Sequence, residues 1–446
     1  MGTGELLERL ENDGVEHLWV TYHDYNRVAC AKSVPKERFR GAVEDGIVFA
    51  RANLNFDATD QQPPDAHLLA NSGDFLAVPD PDSYAVLSWY PRTARVHTWM
   101  RQEDGSPWEG CPRTRLLATI EDLHDEGYSA RAALEPEFYL VVSDGSGAYG
   151  PANRARMYTQ NGLALVDGLM REIVDTLGEM GVAVSQFDKE YGVGQYEITA
   201  RHAPPMKAVD DYLSLRQVVR DAARDAGYVA TFMPKVYAEW PGNSLHVHLS
   251  VWDRAGARDL TPSDEDDTSL SDAGRWFMGG LLEHAAALTG LGSPTPNGYK
   301  RLQPGSWAPG NVYWGRGNRS GVIRVPGTGR RRHIEHRSGD NTCQPFLFLA
   351  GLLAAGLDGI RNKTDPGPPF EKDIGHVTPE EIREAGIADL PRSLPEALDA
   401  LEGDGVVAGA VGEEALKNFL LIKRHEQAQY DLHVHPWERE AYLEST

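Results

Sequence analysis

Residues 133–142 read A-L-E-P-E-F-Y-L-V-V, a strand-like apolar run that carries Glu135 and Glu137 two positions apart. Side chains i and i+2 lie on the same face of a strand, so both carboxylates project in one direction. The device recurs twice downstream. S-L-H-V-H-L-S-V-W (244–252) aligns His246 and His248, with Ser250 next along the same face, and H-I-E-H-R (333–337) aligns Glu335 with Arg337. Between them, E-Y-G-V-G-Q-Y-E (190–197) sets Glu190 and Glu197 either side of a glycine-bearing bend. Carboxylates taken out of water are costly unless a cation meets them. Glu135, Glu137, Glu190 and Glu197 converging with His246 and His248 read as a divalent-cation site that orients phosphate.

Working outward, these charged strands alternate with helical stretches. R-T-R-L-L-A-T-I-E-D-L-H-D-E-G (113–127), V-D-G-L-M-R-E-I-V-D-T-L-G-E-M-G (166–181) and A-V-D-D-Y-L-S-L-R-Q-V-V-R-D-A-A-R-D-A-G (208–227) are amphipathic and end in Gly, as helix C-caps prefer. Polar groups at strand positions facing one way predict a sheet with one face open to a cavity. Upstream, residues 3–12 predict an amphipathic helix. H-L-W-V-T-Y-H-D and V-A-C-A-K-S-V-P follow as two strands across a D-Y-N-R turn, a hairpin. Further short strands run to about Thr98, separated by Q-Q-P-P-D and P-D-P-D-S. This organisation predicts a small mixed domain over residues 1–105, a boundary near W-E-G-C-P-R (108–113), and a larger domain over 106–446. Beyond about residue 361 a Pro/Gly-rich loop precedes closing helices.

Composition narrows the class. The 446 residues suffice for two domains, and 41% apolar with 9% aromatic content is ordinary for a folded protein. A net charge of −22 argues against nucleic acid or an anionic membrane as partner. Three cysteines, Cys30, Cys111 and Cys343, without C-x-x-C spacing fit a reducing compartment rather than a disulfide framework or structural zinc. The N-terminus lacks a basic and then apolar signal pattern. The longest apolar run, P-F-L-F-L-A-G-L-L-A-A-G-L (345–357), is shorter than the roughly 20 residues that span a bilayer and reads as a buried helix. A cytoplasmic location is expected.

Six motifs occur in order with suitable gaps: E-P-E-F-Y-L, E-Y-G-V-G-Q-Y-E, F-M-P-K with G-N-S-L-H-V-H-L-S, N-G-Y-K-R-L, G-N-R-S-G-V-I-R-V-P and I-E-H-R. Together they resemble the glutamine synthetase family across essentially the whole chain, closest to its γ-glutamylmethylamide synthetase and type III branch. The resemblance implies an α+β fold: a small β-grasp-like N-terminal domain and a catalytic domain built on a curved antiparallel sheet with flanking helices. It implies homo-oligomeric rings, two stacked hexamers, with each active site between neighbouring subunits. It assigns Glu137, Glu190 and Glu197 to one Mg²⁺ or Mn²⁺ and Glu135, His246 and Glu335 to a second. His248, Ser250 and Arg324 fall to ATP and its phosphates. Arg301, Arg319 and Arg337 fall to glutamate and the transferred phosphoryl group, with Gly242 letting backbone approach the amino acid. The run Arg330–Arg332 reads as a solvated face, with no role in the chemistry beyond a nucleotide contact.

Departures from the family pattern carry the specificity reading. Ammonia-using members carry F-D-G-S-S in an N-terminal loop, and the matching stretch G-I-V-F-A-R-A-N-L (46–54) places Ala50 at the Asp. Asp57, seven residues on, is the nearest substitute. Where those members carry P-G-Y-E-A-P, this chain has P-G-S-W-A-P, with Trp307 at the Glu. A methyl group and an indole thus replace two carboxylates that hold a small cation, and Tyr158 is placed in the same pocket. An alkylammonium suits such a site better than NH₄⁺. The expected reaction joins glutamate to a primary amine at the expense of ATP, with Glu190 the candidate base. Glutamine synthesis from ammonia, a phosphotransferase without ligation, and an inactive structural or regulatory ring are the competing readings. Many bacterial relatives carry a modifiable Tyr in N-L-Y-D-L-P. The matching F-E-K-D-I-G-H-V-T-P-E-E (370–381) has none, so adenylylation there is not expected.

Overall fold

The N-terminal hairpin forms as its alternation predicts. β1 (His17–His23) pairs antiparallel with β2 (Ala29–Pro35), His17 opposite Pro35 and His23 opposite Ala29. In the computed structural model, which describes residues 1–445, this hairpin belongs to a six-stranded sheet completed by β3 (Ile47–Ala50), β4 (Asp74–Pro79), β5 (Ala85–Val86) and β6 (Thr93–Arg101). The order is β2-β1-β6-β4-β3, with β5 on β6 and the β1–β6 pair parallel, so β3 is an edge. The predicted first helix spans Thr3–Asn12 and buries Leu6 and Leu10.

A nine-stranded sheet organises the rest. Its long strand β7 (Tyr128–Ser143) is flanked by β8 (Tyr149–Pro151), β9 (Val184–Lys189), β10 (Gln195–Ala200), β11 (Val229–Thr231) and β12 (Leu245–Asp253). Two-residue β13 (Asn311–Val312) pairs apart from it with Ala388–Asp389, while β14 (Trp314–Gly315), β15 (Ile323–Arg324) and β16 (Ile334–His336) extend it, giving β14-β15-β16-β12-β7-β10-β9. Pairing is antiparallel except between β14 and β15. The fold is α+β, as expected.

Alternation sorts the two faces of this sheet. Leu134 on β7, Leu245, Val247, Leu249 and Val251 on β12, and Ile334 on β16 enter the apolar core. That core rests on helices Pro112–Asp125, Asp272–Glu283 and Pro345–Asn362. The last is the apolar run read as buried, and no helix among the described residues is long and apolar enough to cross a membrane. Tyr196 and Ile198 of β10 enter a second core beneath helices Asp167–Glu179 and Pro205–Asp225. The helices before Gly127 and Gly181 end with those glycines at φ +85° and +76°, the left-handed geometry that favours glycine at a C-cap. Glu135, Glu137, Glu197, His246 and His248 therefore stand on the opposite, concave face.

β7 changes neighbours in mid-course. Residues 128–136 pair with β12, whereas Glu137–Tyr139 pair with β10. Pro136, which has no N–H to give to a ladder, sits at the changeover. Glu135 consequently faces His246 across one pairing and Glu137 faces Glu197 across the other.

Candidate active site

The concave face opens onto a cavity of about 720 Å³. Of the residues assigned to metal, nucleotide, glutamate or amine, all but Ala50 and Ser250 line it. Ser250 lines an adjoining cavity of about 740 Å³ that shares Glu135, Gln186 and His248 with the first. There Arg131 lies 4.4 Å over the ring of Trp252, and Arg330, Arg331 and Arg332 reach in. The basic run read as a solvated face thus lines a cavity, and Arg332 is buried. Ala50 is exposed on the edge strand β3. Asp57 is held in a turn by Thr59 and Gln61 and faces His425, away from the cavity.

Two triads of donor atoms, each within 4.8 Å of one another, fill the floor: Glu135 with His246 and Glu335, and Glu137 with Glu197 and His246. Glu190 stands outside both. Its carboxylate accepts the Tyr158 hydroxyl at 2.8 Å and the Tyr191 N–H at 3.1 Å, and these two donors turn it toward the mouth. The resemblance groups Glu190 with Glu137 and Glu197; here His246 lies closest to those two, and Glu190 lines the same cavity.

The carboxylates divide by electrostatic surroundings. Burial and the neighbouring Glu190 push Glu137 up to about 7. Burial with Glu135, Glu137 and Glu190 close by pushes Glu197 well above the usual carboxylate range, and burial raises Glu190. Burial also acts on Glu135 and Glu335, but there cations win. His248 and His246 hold Glu135 well below its ordinary value, and Arg337 with both histidines holds Glu335 at about 2. Glu335 accepts from Arg337 and from Arg324 at 2.9 Å. Burial and Arg337 lower His246 to about 4, which keeps its imidazole neutral and able to ligate.

The guanidinium groups come from a short helix (Arg301), a loop (Arg319), β15 (Arg324) and the residue after β16 (Arg337). Arg301 donates to the Ser338 and Gly339 carbonyls at 2.6 and 2.9 Å. A Cβ at Gly242 would lie 2.4 Å from Arg301 Cγ, so that glycine makes room for the arginine as well as for any ligand. Arg319 lines the cavity with no salt-bridge partner among the described residues.

An aromatic wall completes the mouth. Tyr191 meets Tyr158 edge-on at 5.8 Å and Trp307 at 5.0 Å. Trp307 is 50% exposed and is therefore not core packing. Both Tyr158 (φ +52°) and Trp307 (φ +62°) occupy the left-handed region, which costs a non-glycine residue about 1–2 kcal/mol. Tyr191 escaped the sequence reading, although it sits between two residues that did not.

A sequence profile of the glutamine synthetase catalytic domain matches residues 109–442. The chain belongs to the glutamine synthetase family. This family member is similar to the glutamine synthetase of Halobacterium salinarum, 34% identical over 98% of this chain and 96% of that one. It is 33% identical to that of Thermotoga maritima over 99% of each. Among solved structures it is similar to GmaS, a γ-glutamylmethylamide synthetase, in complex with ADP (TM-score 0.87, 31% identity, 98% of this chain and 99% of that). A ligand-free GmaS gives a TM-score of 0.85 at 32% identity over 98% and 99%. Members of the family are ligases that use ATP and divalent metals and bind glutamate with an amine or ammonia.

The residues of this glutamine synthetase family member fit such a metal. Oxygen-rich triads with one neutral imidazole suit a hard divalent cation. Among the described residues neither Glu137 nor Glu197 is ion-paired to an Arg or Lys, so that triad is short of positive charge.

Proposed function

We propose that this chain is an ATP-dependent ligase that activates the γ-carboxylate of glutamate as γ-glutamyl phosphate and joins it to a primary alkylamine. The observation that carries the reading is the wall of Tyr158, Tyr191 and Trp307 beside Glu190, with Trp307 where ammonia-using members carry Glu. Aromatic faces attract an alkylammonium and cover its carbons, and Glu190 supplies the opposing charge. The 31% identity to GmaS supports the same class.

In this reading ATP lies with its base toward Trp252, Ser250 and the Arg330–Arg332 run and its phosphates toward His248 and Arg324. Mg²⁺ or Mn²⁺ held by the two triads supplies the charge neutralisation that phosphoryl transfer mainly needs. Arg301 and Arg337 orient the glutamate carboxylates, and Arg319, free of an internal partner, meets the phosphoryl group. ADP leaves as the γ-carboxylate oxygen takes the γ-phosphoryl group. A free alkylamine has a pKa near about 10.4 and arrives protonated. Glu190, raised by burial and hydrogen-bonded to Tyr158, is placed to take that proton. The neutral nitrogen then attacks the carbonyl carbon of the γ-glutamyl phosphate, phosphate departs, and a γ-glutamyl amide remains.

The same reading carries a division at 105/106, a cytoplasmic location and assembly into two stacked hexameric rings. Exposed Ala50 on an edge strand would then complete a neighbour's amine pocket. Ammonia as acceptor is the second reading, favoured by the names of the H. salinarum and T. maritima relatives. Phosphate release from Mg²⁺–ATP and glutamate across ammonium and a panel of primary amines separates the two. A kcat/KM for at least one alkylamine above that for ammonium is expected, and clear preference for ammonium defeats the proposal.

A further inference from the structure

Lys189 closes β9 and is among the largest side chains fully removed from water. A buried ammonium normally meets a carboxylate, because its desolvation is otherwise uncompensated. Among the described residues Lys189 forms no salt bridge. Its Nζ donates instead to two carbonyls, Glu190 O and Gly192 O, each at 2.6 Å, and lies 5.6 Å from the ring of Tyr196. Its own carbonyl accepts the N–H of Tyr158 at 2.9 Å.

These contacts converge on one turn. Residues 190–192 carry the Glu190 carboxylate, bonded to the Tyr158 hydroxyl, and the Tyr191 ring, packed on Trp307. The lysine stem is itself fixed from behind. A Cβ at Gly162 would fall 2.6 Å from Lys189 Cγ, and the Tyr196 hydroxyl donates to Gly162 O at 3.1 Å. A methylene chain of the same length without the ammonium would fill the space but leave both carbonyls without this donor.

We infer that Lys189 is a positioning residue for the acceptor step: its ammonium ties the two ends of the 190–192 turn and so fixes the Glu190 carboxylate and the Tyr191 ring around the incoming amine. The inference rests on the reading that the acceptor nitrogen binds at Glu190. It does not depend on which acceptor is used.

The test compares full-length wild type, K189M, K189Q and G162A by steady-state kinetics with Mg²⁺–ATP, glutamate and the acceptor that wild type prefers, methylamine or ammonium. K189M is expected to raise the acceptor KM at least tenfold while the KM values for glutamate and ATP change less than threefold. K189Q, still able to reach one carbonyl, falls between. G162A, whose new methyl must displace the lysine stem, shifts the acceptor KM in the same direction. A lysine that merely stabilised the fold would lower the active fraction and leave this KM split unmoved. Acceptor KM within twofold of wild type in folded K189M overturns the inference. Should K189M not fold, the same limit applied to G162A decides it. An ammonium-preferring wild type overturns the alkylamine reading, and the strut is then judged on the KM for ammonium by the same limits.

Discussion

The two triads on the cavity floor share His246 and sit on adjacent strand pairs, yet they are electrostatic opposites. Around Glu335 the protein supplies its own cations, Arg324, Arg337 and the two histidines, and the carboxylates there are held low. Around Glu137 and Glu197 acids crowd one another, Arg301 and the Ser244 N–H only partly offset them, and both carboxyls are driven up by burial and mutual repulsion. One half carries much of its counter-charge within the chain, and the other depends more heavily on a cation from outside. A buried carboxylate near a site is therefore weak testimony by itself. Whether its counter-charge is part of the chain decides what it is for.

That contrast breaks most visibly under neutralisation of one acid in each half. Glu197→Gln is expected to lower amine-dependent phosphate release by about 10³-fold, the rate equivalent of several kcal/mol of lost charge stabilisation. Its metal-free thermal unfolding should nonetheless not fall, because a repulsion is relieved. Loss of stability in E197Q would erase the distinction. Glu335→Gln is expected to cost stability as well as activity, about 3–5 kcal/mol in denaturant unfolding, as buried Arg337 and half-buried Arg324 lose their partner.

The pH dependence sharpens the same point. The Glu137 carboxyl moves from an ordinary value up to about 7 on folding, so between those values the folded state binds more protons than the unfolded. Metal-free stability from this group is therefore lost as pH rises toward 7, by roughly 2 kcal/mol for a partly screened carboxyl. Unfolding of wild type against E137Q isolates it, and added Mg²⁺ should abolish the difference. For Glu335, at about 2, the contribution is lost only as pH falls toward 2. The smallest effect is at the mouth: Trp307→Glu should shift the kcat/KM ratio of methylamine to ammonium about tenfold toward ammonium. An unmoved ratio would detach the wall from acceptor choice.

The parts of this site that rest on strand alternation were open to reading from sequence. Glu135 with Glu137 and His246 with His248 follow from period two, and the in-register pairing of β12 on β7 brings them together. Pro136, which cannot donate to a ladder, is tolerated where β7 changes partners. Turns were less legible. Glu190 precedes a bend where alternation lapses, so neither its departure from the triads nor the direction of Tyr191 follows from spacing. Lys189 reads as a surface lysine beside an acid. Only its packing against Gly162 and Tyr196, from other segments, removes it from water. Ala50 lies exposed on an edge strand, outside the cavity of its own chain, so its place in a pocket does not follow from spacing.

Tyr158 and Trp307 hold a backbone geometry that glycine or asparagine would adopt at little cost. Random substitution without selection on the mouth of the cavity would drift toward those residues and gain stability in doing so. A large aromatic ring persisting at either position among descendants of this gene would thus be a signature of purifying selection for acceptor choice, readable from sequences alone, and its replacement by glycine would mark lineages in which that choice has been relaxed.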